Sequence, residues 1–464
     1  MGMVQAKEDK YAPLHTQEPC QDTSKQAREV DIKGVSARVD RINIEGLGRT
    51  KDDIVEQSVK ELFKARNFQD VMAKAHKVRG RLDSLGCFKS IGIYIDTSRG
   101  PGATPEGLEV TFHVQELKRV VGGVNTMIGN NEGSLVVGLK LPNLAGRGER
   151  VQAEYSYGNQ KTSNINVAFI KPFINYQKEP ILTCSLFQQA ADWPWSGYAT
   201  VDKGTLVDLA FTSTGSLRHN LQWEGSIREL GTPSKTSAFE VRSQAGPKLK
   251  SAFRHILCLD QRDDKVFPTG GRMFQWTTEF AGPGGNVGHV KNEFHLQVNR
   301  YIQNGLVLQG SLQGGILSNL NNYEQSDLSE KYYLGGPLSL RGFTMRGAGP
   351  AAEDNFTGAP MFWAAGLQLF SPLPFRPGQG GIGDLFRVHG FFNVGNVGEF
   401  DISPDLEASW ASLSEKLRMS TGLGLAMRIG HIARLELNYC FPLKYEESDS
   451  ICQGIQFGIG LKFL

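Results

Sequence analysis

The sequence predicts an all-β transmembrane barrel of about 16 antiparallel strands, preceded by a small α+β domain. Three observations lead to this fold class. Helical spacing of apolar residues occurs only before residue 120, where the predicted element order is β-α-α-β-β. Beyond that point, apolar and polar residues alternate strictly, as they do along strands. The residues opposite the apolar ones are polar or charged, so they cannot form a dry core between two sheets.

Composition narrows the function classes. The chain has 464 residues and a formal net charge of +2, so nothing indicates a nucleic-acid partner. Six cysteines occur without a C-x-x-C pair, and the nine histidines are dispersed. This spacing favours neither a disulfide framework nor a zinc site. We expect no metal and no cofactor.

The N-terminal region lacks the features of a targeting or anchoring segment. Residues 1–36 are polar and without pattern, and we expect them to form a disordered arm. They contain no apolar stretch of a secretory signal. No part of the sequence has the roughly 18 consecutive apolar residues of a transmembrane helix.

Residues 37–118 are predicted to form the small domain. Alternation in "ARVDRINIEGL" indicates a strand, and "KDDIVEQSVKELF" follows with helical spacing and Thr50 as its expected N-cap. A second helix is predicted in "FQDVMAKAHKVRGRLDSLG", ending at Gly86 as C-cap. Strands over residues 88–96 and 107–116 complete the domain.

Residues 122–464 are predicted to form the barrel. The segments "VQAEYSY", "NEFHLQV", "LVLQGSLQ" and "RLELNYC" all alternate, which fits either a soluble sheet with one wet face or a membrane barrel with a wet lumen. No helix is available to cover a sheet, and the polar set is strongly hydrophilic, so the barrel is favoured. Aromatic residues near the strand ends suit membrane interfaces: Tyr155, Tyr157, Tyr301 and Tyr439.

The longest connection without alternation lies within residues 317–360 and contains "YYLGGPLSLRGFTMRG". A loop this long and this apolar is expected to fold back into the lumen. Arg341 would then be buried, and a buried arginine requires a carboxylate partner. Glu436 is the candidate partner, because the alternation of its strand places it on the lumenal face.

The four residues Leu340, Arg341, Gly342 and Phe343 resemble the V/I/L-R-G-F/Y signature in the inward-folded loop of BamA-type barrels. Members of that outer-membrane assembly family carry β-α-α-β-β (POTRA) domains before a barrel of about 16 strands. The resemblance therefore covers the chain from about residue 37. One departure is Asn393, which stands where an acid is common in the family's F-x-D-x-G strand.

A single POTRA-like domain, this length and the missing signal are most similar to the family's mitochondrial branch, the core barrels of the sorting and assembly machinery. The segment "QFGIGLKF" resembles the β-signal of mitochondrial barrels. The positions that match its polar, glycine and apolar places are Gln456, Gly458, Leu461 and Phe463.

The resemblance implies that the chain inserts β-barrel precursors into the mitochondrial outer membrane. We expect a seam between a first strand over residues 133–139 and a last strand over residues 455–463, because glycines weaken both. A precursor strand would pair with the opened edge. The first strand contributes Gly133, Leu135, Val137 and Gly138.

The resemblance also implies partners: β-barrel precursors, outer-membrane lipids, metaxin-like subunits and an inner-membrane organising complex. The POTRA domain would lie in the intermembrane space. Two other functions stay open, a passive polypeptide- or lipid-conducting pore of the same fold and a soluble all-β binding protein. Enzymatic activity is not expected, because "GQGGIG" (378–383) follows no strand and the sequence has no P-loop, G-x-S-x-G or H-E-x-x-H motif.

Overall fold

The computed structural model describes residues 35–129, 132–159, 162–173, 179–232, 237–320, 327–373, 381–399 and 405–464. The predicted N-terminal arm lies outside these residues except for its last two, and so does the first half of "GQGGIG". No helix among the described residues is long and apolar enough to cross a membrane.

The small domain has the predicted order of elements. These are β1 (Arg38–Glu45), α1 (Asp52–Val59), a 3-10 turn (Lys60–Lys64), α2 (Phe68–Ser84), β2 (Phe88–Thr97) and β3 (Gly107–Glu116). The central strand β3 pairs with β1 in parallel and with β2 antiparallel. Both helices cover this sheet through a common apolar core, in which α2 contributes Val71, Ala75, Val78 and Leu82.

One predicted helix cap is wrong. The N-cap of α1 is Lys51, whereas the Thr50 hydroxyl donates to the carboxylate of Glu116 at 2.6 Å. A threonine caps a helix when its oxygen accepts from the first turn, and here that oxygen accepts from the Asn143 side chain instead. The predicted C-cap of the second helix is displaced by one residue. The C-cap of α2 is Leu85, and Gly86 follows it with φ +63°.

The large sheet has 16 strands, which confirms the predicted number. They are β4 (Val121–Gly129), β5 (Glu132–Pro142), β6 (Arg150–Gly158), β7 (Ser163–Pro172), β8 (Ile181–Trp193), β9 (Tyr198–Thr212), β10 (Leu217–Gly231), β11 (Gly246–Asp260), β12 (Gly271–Ala281), β13 (His289–Tyr301), β14 (Val307–Asn319), β17 (Met361–Pro372), β18 (Phe386–Gly398), β19 (Arg418–Ile429), β20 (Ala433–Lys444) and β21 (Gly454–Gly460). The shorter elements are α3 (Phe239–Ser243), β15 (Ala351–Ala352), β16 (Asn355–Phe356) and α4 (Leu406–Ser414).

Every neighbouring pair in the large sheet is antiparallel, and the sheet begins at β4 and ends at β21. These two strands lie in contact. Among the described residues, however, no ladder of paired residues joins them. The barrel therefore has one seam, between β4 and β21.

The predicted first strand is wrong. Gly133, Leu135, Val137 and Gly138 lie in β5, which is the second strand and is paired on both sides, with β4 and with β6. The true first strand, "VGGVNTMIG", has two adjacent glycines and an outward-facing threonine, Thr126, opposite Leu135. These residues break the alternation from which strands are recognised. The last strand also ends earlier than predicted, at Gly460.

The alternation predicted the two faces of the wall. Outward-facing side chains such as Val137, Tyr155 and Val298 are exposed. Their lumenal neighbours are buried although they are polar, and Gln297 and Gln309 are examples. Polar residues can be buried here because they bond to one another and to segments that enter the lumen.

The small domain is fixed to the barrel by the turn that precedes α1. Glu116 accepts the backbone N–H groups of Gly48, Arg49 and Thr50. The Thr50 hydroxyl in turn accepts from Asn143, in the turn between β5 and β6, at 2.8 Å. Burial raises the pKa of Glu116, but the hydrogen bonds from Thr50 and its neighbours outweigh it and bring the pKa to about 2.

Candidate functional site: the inner loop and the seam

The connection between β14 and β17 enters the lumen, as predicted. We call its described part, residues 327–360, the inner loop. Leu334, Leu340, Phe343 and Ala348 are buried and pack against lumenal side chains of the wall. The loop is therefore part of the folded barrel interior.

Arg341 is fully buried at the tip of the inner loop. Its Nε and Nη2 atoms donate to Oε2 of Glu436 at 3.2 and 2.9 Å, so the structure pairs it with the predicted carboxylate. Nη1 donates to the backbone oxygen of Leu464 at 3.0 Å. The rings of Phe391 and Phe463 lie 5.0 and 5.5 Å from the guanidinium carbon. A planar guanidinium suits such a site because it donates within its plane and stacks on its faces.

Glu436 is shared between two arginines. Nε of Arg434 lies 2.8 Å from its Oε1 atom, opposite the Arg341 side. Asn438 donates to Oε2 at 3.1 Å, and the His389 ring lies 3.8 Å from the same oxygen. The cluster thus holds two arginines and one carboxylate in a buried position, and the carboxylate lies between the two cations.

Asn393 faces the lumen from β18 next to this cluster. Its amide oxygen accepts from Nη1 of Arg341 at 3.2 Å in the orientation that satisfies its neighbours. A neutral amide cannot neutralise the arginine, and Glu436 on β20 supplies the negative charge instead. The negative charge beside Arg341 therefore comes from a strand that lies two strands nearer the seam than β18.

The inner loop also binds the last strand directly. The side chain of Gln456 on β21 accepts from the N–H of Gly342 at 3.1 Å and donates to the carbonyl of Phe343 at 2.8 Å. The N–H of Cys452, just before β21, donates to the carbonyl of Gly342 at 2.8 Å. The loop and the last strand are consequently held as one unit.

Two of the three glycines of β21, Gly458 and Gly460, leave space for the loop. A Cβ atom on Gly458 would lie 2.8 Å from Cβ of Pro337, and one on Gly460 would lie 3.0 Å from Leu338. The sequence argument took these glycines as a weakness of the seam. In the structure both face the lumen, where the loop packs against the backbone of the strand.

Beyond Gly460 the chain leaves the wall. We call residues 461–464 the inner segment; Leu464 donates its N–H to the carbonyl of Leu338 at 3.0 Å. Lys462 reaches Gln275 on β12 at 2.9 Å, so the segment crosses the lumen. Two of the predicted signal residues, Leu461 and Phe463, therefore lie inside the barrel, while Gln456 and Gly458 lie on β21.

A second arginine of the loop, Arg346, is held at the opposite side of the barrel. Its guanidinium lies between the rings of Trp193 and Tyr333, at 3.8 and 3.9 Å. It donates to the hydroxyl groups of Ser196 and Tyr198 at 3.1 and 2.8 Å. Sequence reasoning gave no partner for Arg346, because aromatic and hydroxyl partners carry no charge pattern that could identify them.

Sequence reasoning also missed a third attachment, at Glu330. Its carboxylate contacts Arg228 at 2.6 Å and Lys250 at 2.7 Å. Glu279, His289 and Glu330 present ligand atoms close enough together for a metal ion. Lys250 lies 2.8 Å from Glu279 as well, so its ammonium group already occupies the space between the two carboxylates. The cluster is an ion-pair network. In the sequence, its wall residues could have been identified as lumenal charges of both signs on neighbouring strands.

Comparisons with known proteins agree with this geometry. Residues 143–463 match the model of the Omp85 superfamily domain. The chain is 44% identical over 428 residues to sorting and assembly machinery component 50 homolog A of Xenopus laevis, covering 92% of this chain and 90% of that one. It is 42% identical over 441 residues to the Homo sapiens homologue, with 95% and 93% covered. A crystal structure of Haemophilus ducreyi BamA lacking POTRA domains 1–3 superposes with a TM-score of 0.71 at 18% identity, covering 91% of this chain and 84% of that one, which shows a common fold.

Proposed function

Because the chain belongs to the Omp85 superfamily and, within it, to the sorting and assembly machinery component 50 homologues, we propose that it inserts β-barrel precursors into the mitochondrial outer membrane. A precursor strand pairs with a barrel strand at the seam and is then released into the membrane. Each backbone group passes from one partner to another without facing lipid unpaired. The energy comes from the folding of the substrate, so no nucleotide takes part.

The observation that carries this proposal is the seam itself. β4 and β21 touch without forming a ladder in the described part of the chain, although every other neighbouring pair in the sheet does. Unpaired N–H and C=O groups on two facing edges are a template for an added strand. Opening this seam breaks fewer hydrogen bonds than opening the sheet anywhere else.

The two edges of the seam are unequally held. β21 is bound from inside by the inner loop, through Gln456 and through the packing of Pro337 on Gly458. β4 has the ladder with β5 and contains Gly122 and Gly123. We therefore assign the moving edge to β4 and the fixed edge to β21, which positions the precursor.

The small domain is a POTRA domain in this proposal and lies in the intermembrane space. Among the residues that the structure describes, its sheet leaves one edge of β1 and one edge of β2 unpaired, since β3 occupies the centre. Either edge can receive an extended segment of a precursor. Metaxin-like subunits and an inner-membrane organising complex are the proposed partners of the assembled machinery. A passive pore is less favoured, because the inner loop and the inner segment occupy the lumen.

The seam is tested with double-cysteine variants in a Cys452→Ser background, one cysteine among residues 121–129 and one among residues 454–460. Pairs that oxidise across the seam are expected to reduce assembly of imported precursors several-fold, and a reductant should restore it. The matched control is a cysteine pair at Val124 and Val137, which face each other across β4 and β5. That bridge closes a ladder that already exists, so assembly should be unchanged. Undiminished assembly with a closed seam would refute the mechanism.

A further inference from the structure

Two cations beside the first strand have no acidic partner. Lys140 on β5 lies opposite Val121, the first residue of β4, and Arg150 is the first residue of β6. Both lie an odd number of residues from the outward-facing Val137 and Tyr155, so they face the lumen, at the end next to the small domain. Both are only partly buried. Neither side chain forms a hydrogen bond or an ion pair with another described residue, and Nε of Arg150 is buried without a partner.

The two cations lie close together above the end of α2. The position that a Cβ atom on Gly86 would occupy is 2.7 Å from Nη1 of Arg150 and 3.9 Å from Nζ of Lys140. The helix offsets little of this charge, since a helix C terminus carries about half a negative charge. Glu154, which faces the lumen opposite Gly138, forms no ion pair in the described part of the chain. The pair therefore fits one carboxylate, with an oxygen for each cation.

A third cation at the same junction shows that fixing the small domain to the barrel does not account for this pair. Nε of Arg49 donates to Glu116 at 3.3 Å, and its Nη1 and Nη2 atoms donate to the carbonyls of Pro142 and Leu117. An arginine that holds the two domains together thus has an acceptor for each of its nitrogens. The side chains of Lys140 and Arg150 have none among the described residues.

We infer that Lys140 and Arg150 bind a carboxylate at the end of a precursor strand that pairs with β4, an inference that rests on the proposed function. β4 runs away from the small domain, so a strand antiparallel to it runs towards the small domain and ends near Val121. That strand and β5 are then two strand spacings apart, about 10 Å. A lysine side chain bridges this gap when the end of the strand turns into the lumen, as this chain does after Gly460. The carboxylate comes from the terminus of the precursor or from an acidic side chain just after its strand.

The probe is a fluorescent peptide with the sequence of residues 450–461 and the change Cys452→Ser, which includes the strand β21. Fluorescence anisotropy measures its binding to the full chain in phospholipid nanodiscs. One form ends in a free carboxylate, a second in an amide, and a third in an amide after an added aspartate. The free carboxylate should bind about ten-fold more tightly than the plain amide, the factor for one charge-assisted hydrogen bond.

The double variant Lys140→Gln, Arg150→Gln should remove this difference and leave the binding of the plain amide unchanged, which also shows that the variant folds. The matched control Lys118→Gln, Arg119→Gln removes the same charge from exposed residues just before β4. It should keep the ten-fold difference, because the general positive field is not the site.

Each outcome has a distinct meaning. A gain that the added aspartate reproduces assigns the site to an acidic side chain, whereas a gain confined to the free carboxylate assigns it to the chain terminus. Equal binding of all three forms would overturn the inference and leave the seam mechanism standing, and so would a preference that the double variant retains. If no form binds, or if a cysteine bridge across the seam leaves binding unchanged, the inference and the proposed mechanism fail together.

Discussion

Replacing Glu436 by glutamine tests the charge balance of the cluster at the tip of the inner loop. Arg341, Arg434 and Glu436 carry a net charge of +1 in a fully buried position. Glu436→Gln keeps the shape of the side chain and raises the net charge to +2. Removal of one partner from a buried ion pair typically costs about 3–5 kcal/mol. Because two arginines lose the one side-chain carboxylate they share in the described part of the chain, we expect a cost near 5 kcal/mol at the upper end of this range.

Replacing Arg341 by methionine should cost less. The net charge of the cluster falls to zero, and Glu436 keeps Arg434 at 2.8 Å and Asn438 at 3.1 Å. The backbone oxygen of Leu464 keeps its hydrogen bond from Gln368. The Asn393 amide oxygen loses its donor, so the expected cost is about 2 kcal/mol, from this group and from the lost charge-assisted hydrogen bonds.

The assay is the free energy of unfolding in urea, measured by tryptophan fluorescence on the chain in detergent micelles. Glu154→Gln is the matched control, since Glu154 also faces the lumen and has no ion pair among the described residues; it should change stability by less than about 0.5 kcal/mol. The reasoning is refuted if Arg341→Met destabilises the barrel as much as Glu436→Gln does, or if Glu436→Gln behaves like the control.

Three further predictions concern other contacts. Arg346→Lys removes a planar cation from between two rings, so the inner loop should become cleavable by added protease at about ten-fold lower enzyme concentration; equal protection would contradict this. Gly458→Ala forces a Cβ to within 2.8 Å of Pro337 and should cost about 1–3 kcal/mol in urea unfolding, whereas Gly133→Ala, with nothing within 4 Å, should be nearly neutral. Glu116, whose pKa falls from 4.5 to about 2 on folding, should make the native chain about 3 kcal/mol more stable than Glu116→Gln above about pH 5. That difference should disappear as the pH drops from about 4.5 towards 2, because a lowered carboxylate pKa stabilises only the ionised form; a constant difference would show that the hydrogen bonds do not depend on its charge.

The barrel was predictable because the membrane imposes a period of two on strands that face lipid and water in turn. The prediction from this period was wrong at the first and last strands. β4 lacks it because Gly122 and Gly123 carry no side chain to alternate. The predicted last strand was too long because Leu461 and Phe463 continue the apolar alternation after the chain has turned inward. An apolar side chain packs as well in the lumenal plug as against lipid, so the sequence could not distinguish the two.

The candidate site, like the fold, could be predicted from the sequence only in part. Glu436 could be predicted since a buried arginine requires an acid, and alternation shows which acids face the lumen. The clamps at Arg346 and Glu330 could not, because the alternation does not show which wall residues the long inner loop reaches. The alternation shows that Gly458 faces the lumen. It does not show that a loop residue packs on this glycine.

The position of the acid that pairs with Arg341 has a mechanical consequence. An acid at position 393 would tie the inner loop to β18, three strands from the seam edge. Glu436 ties it to β20, next to the last strand, while Gln456 ties it to the last strand itself. The inner loop, β20 and β21 therefore form one stiff edge. In the proposed mechanism, strain from an inserted precursor strand is directed away from this edge and towards β4, whose glycines allow it to bend. Moving the acid back, with Glu436→Gln combined with Asn393→Asp, should restore stability while loosening β21, and hydrogen exchange along β21 would measure that separation.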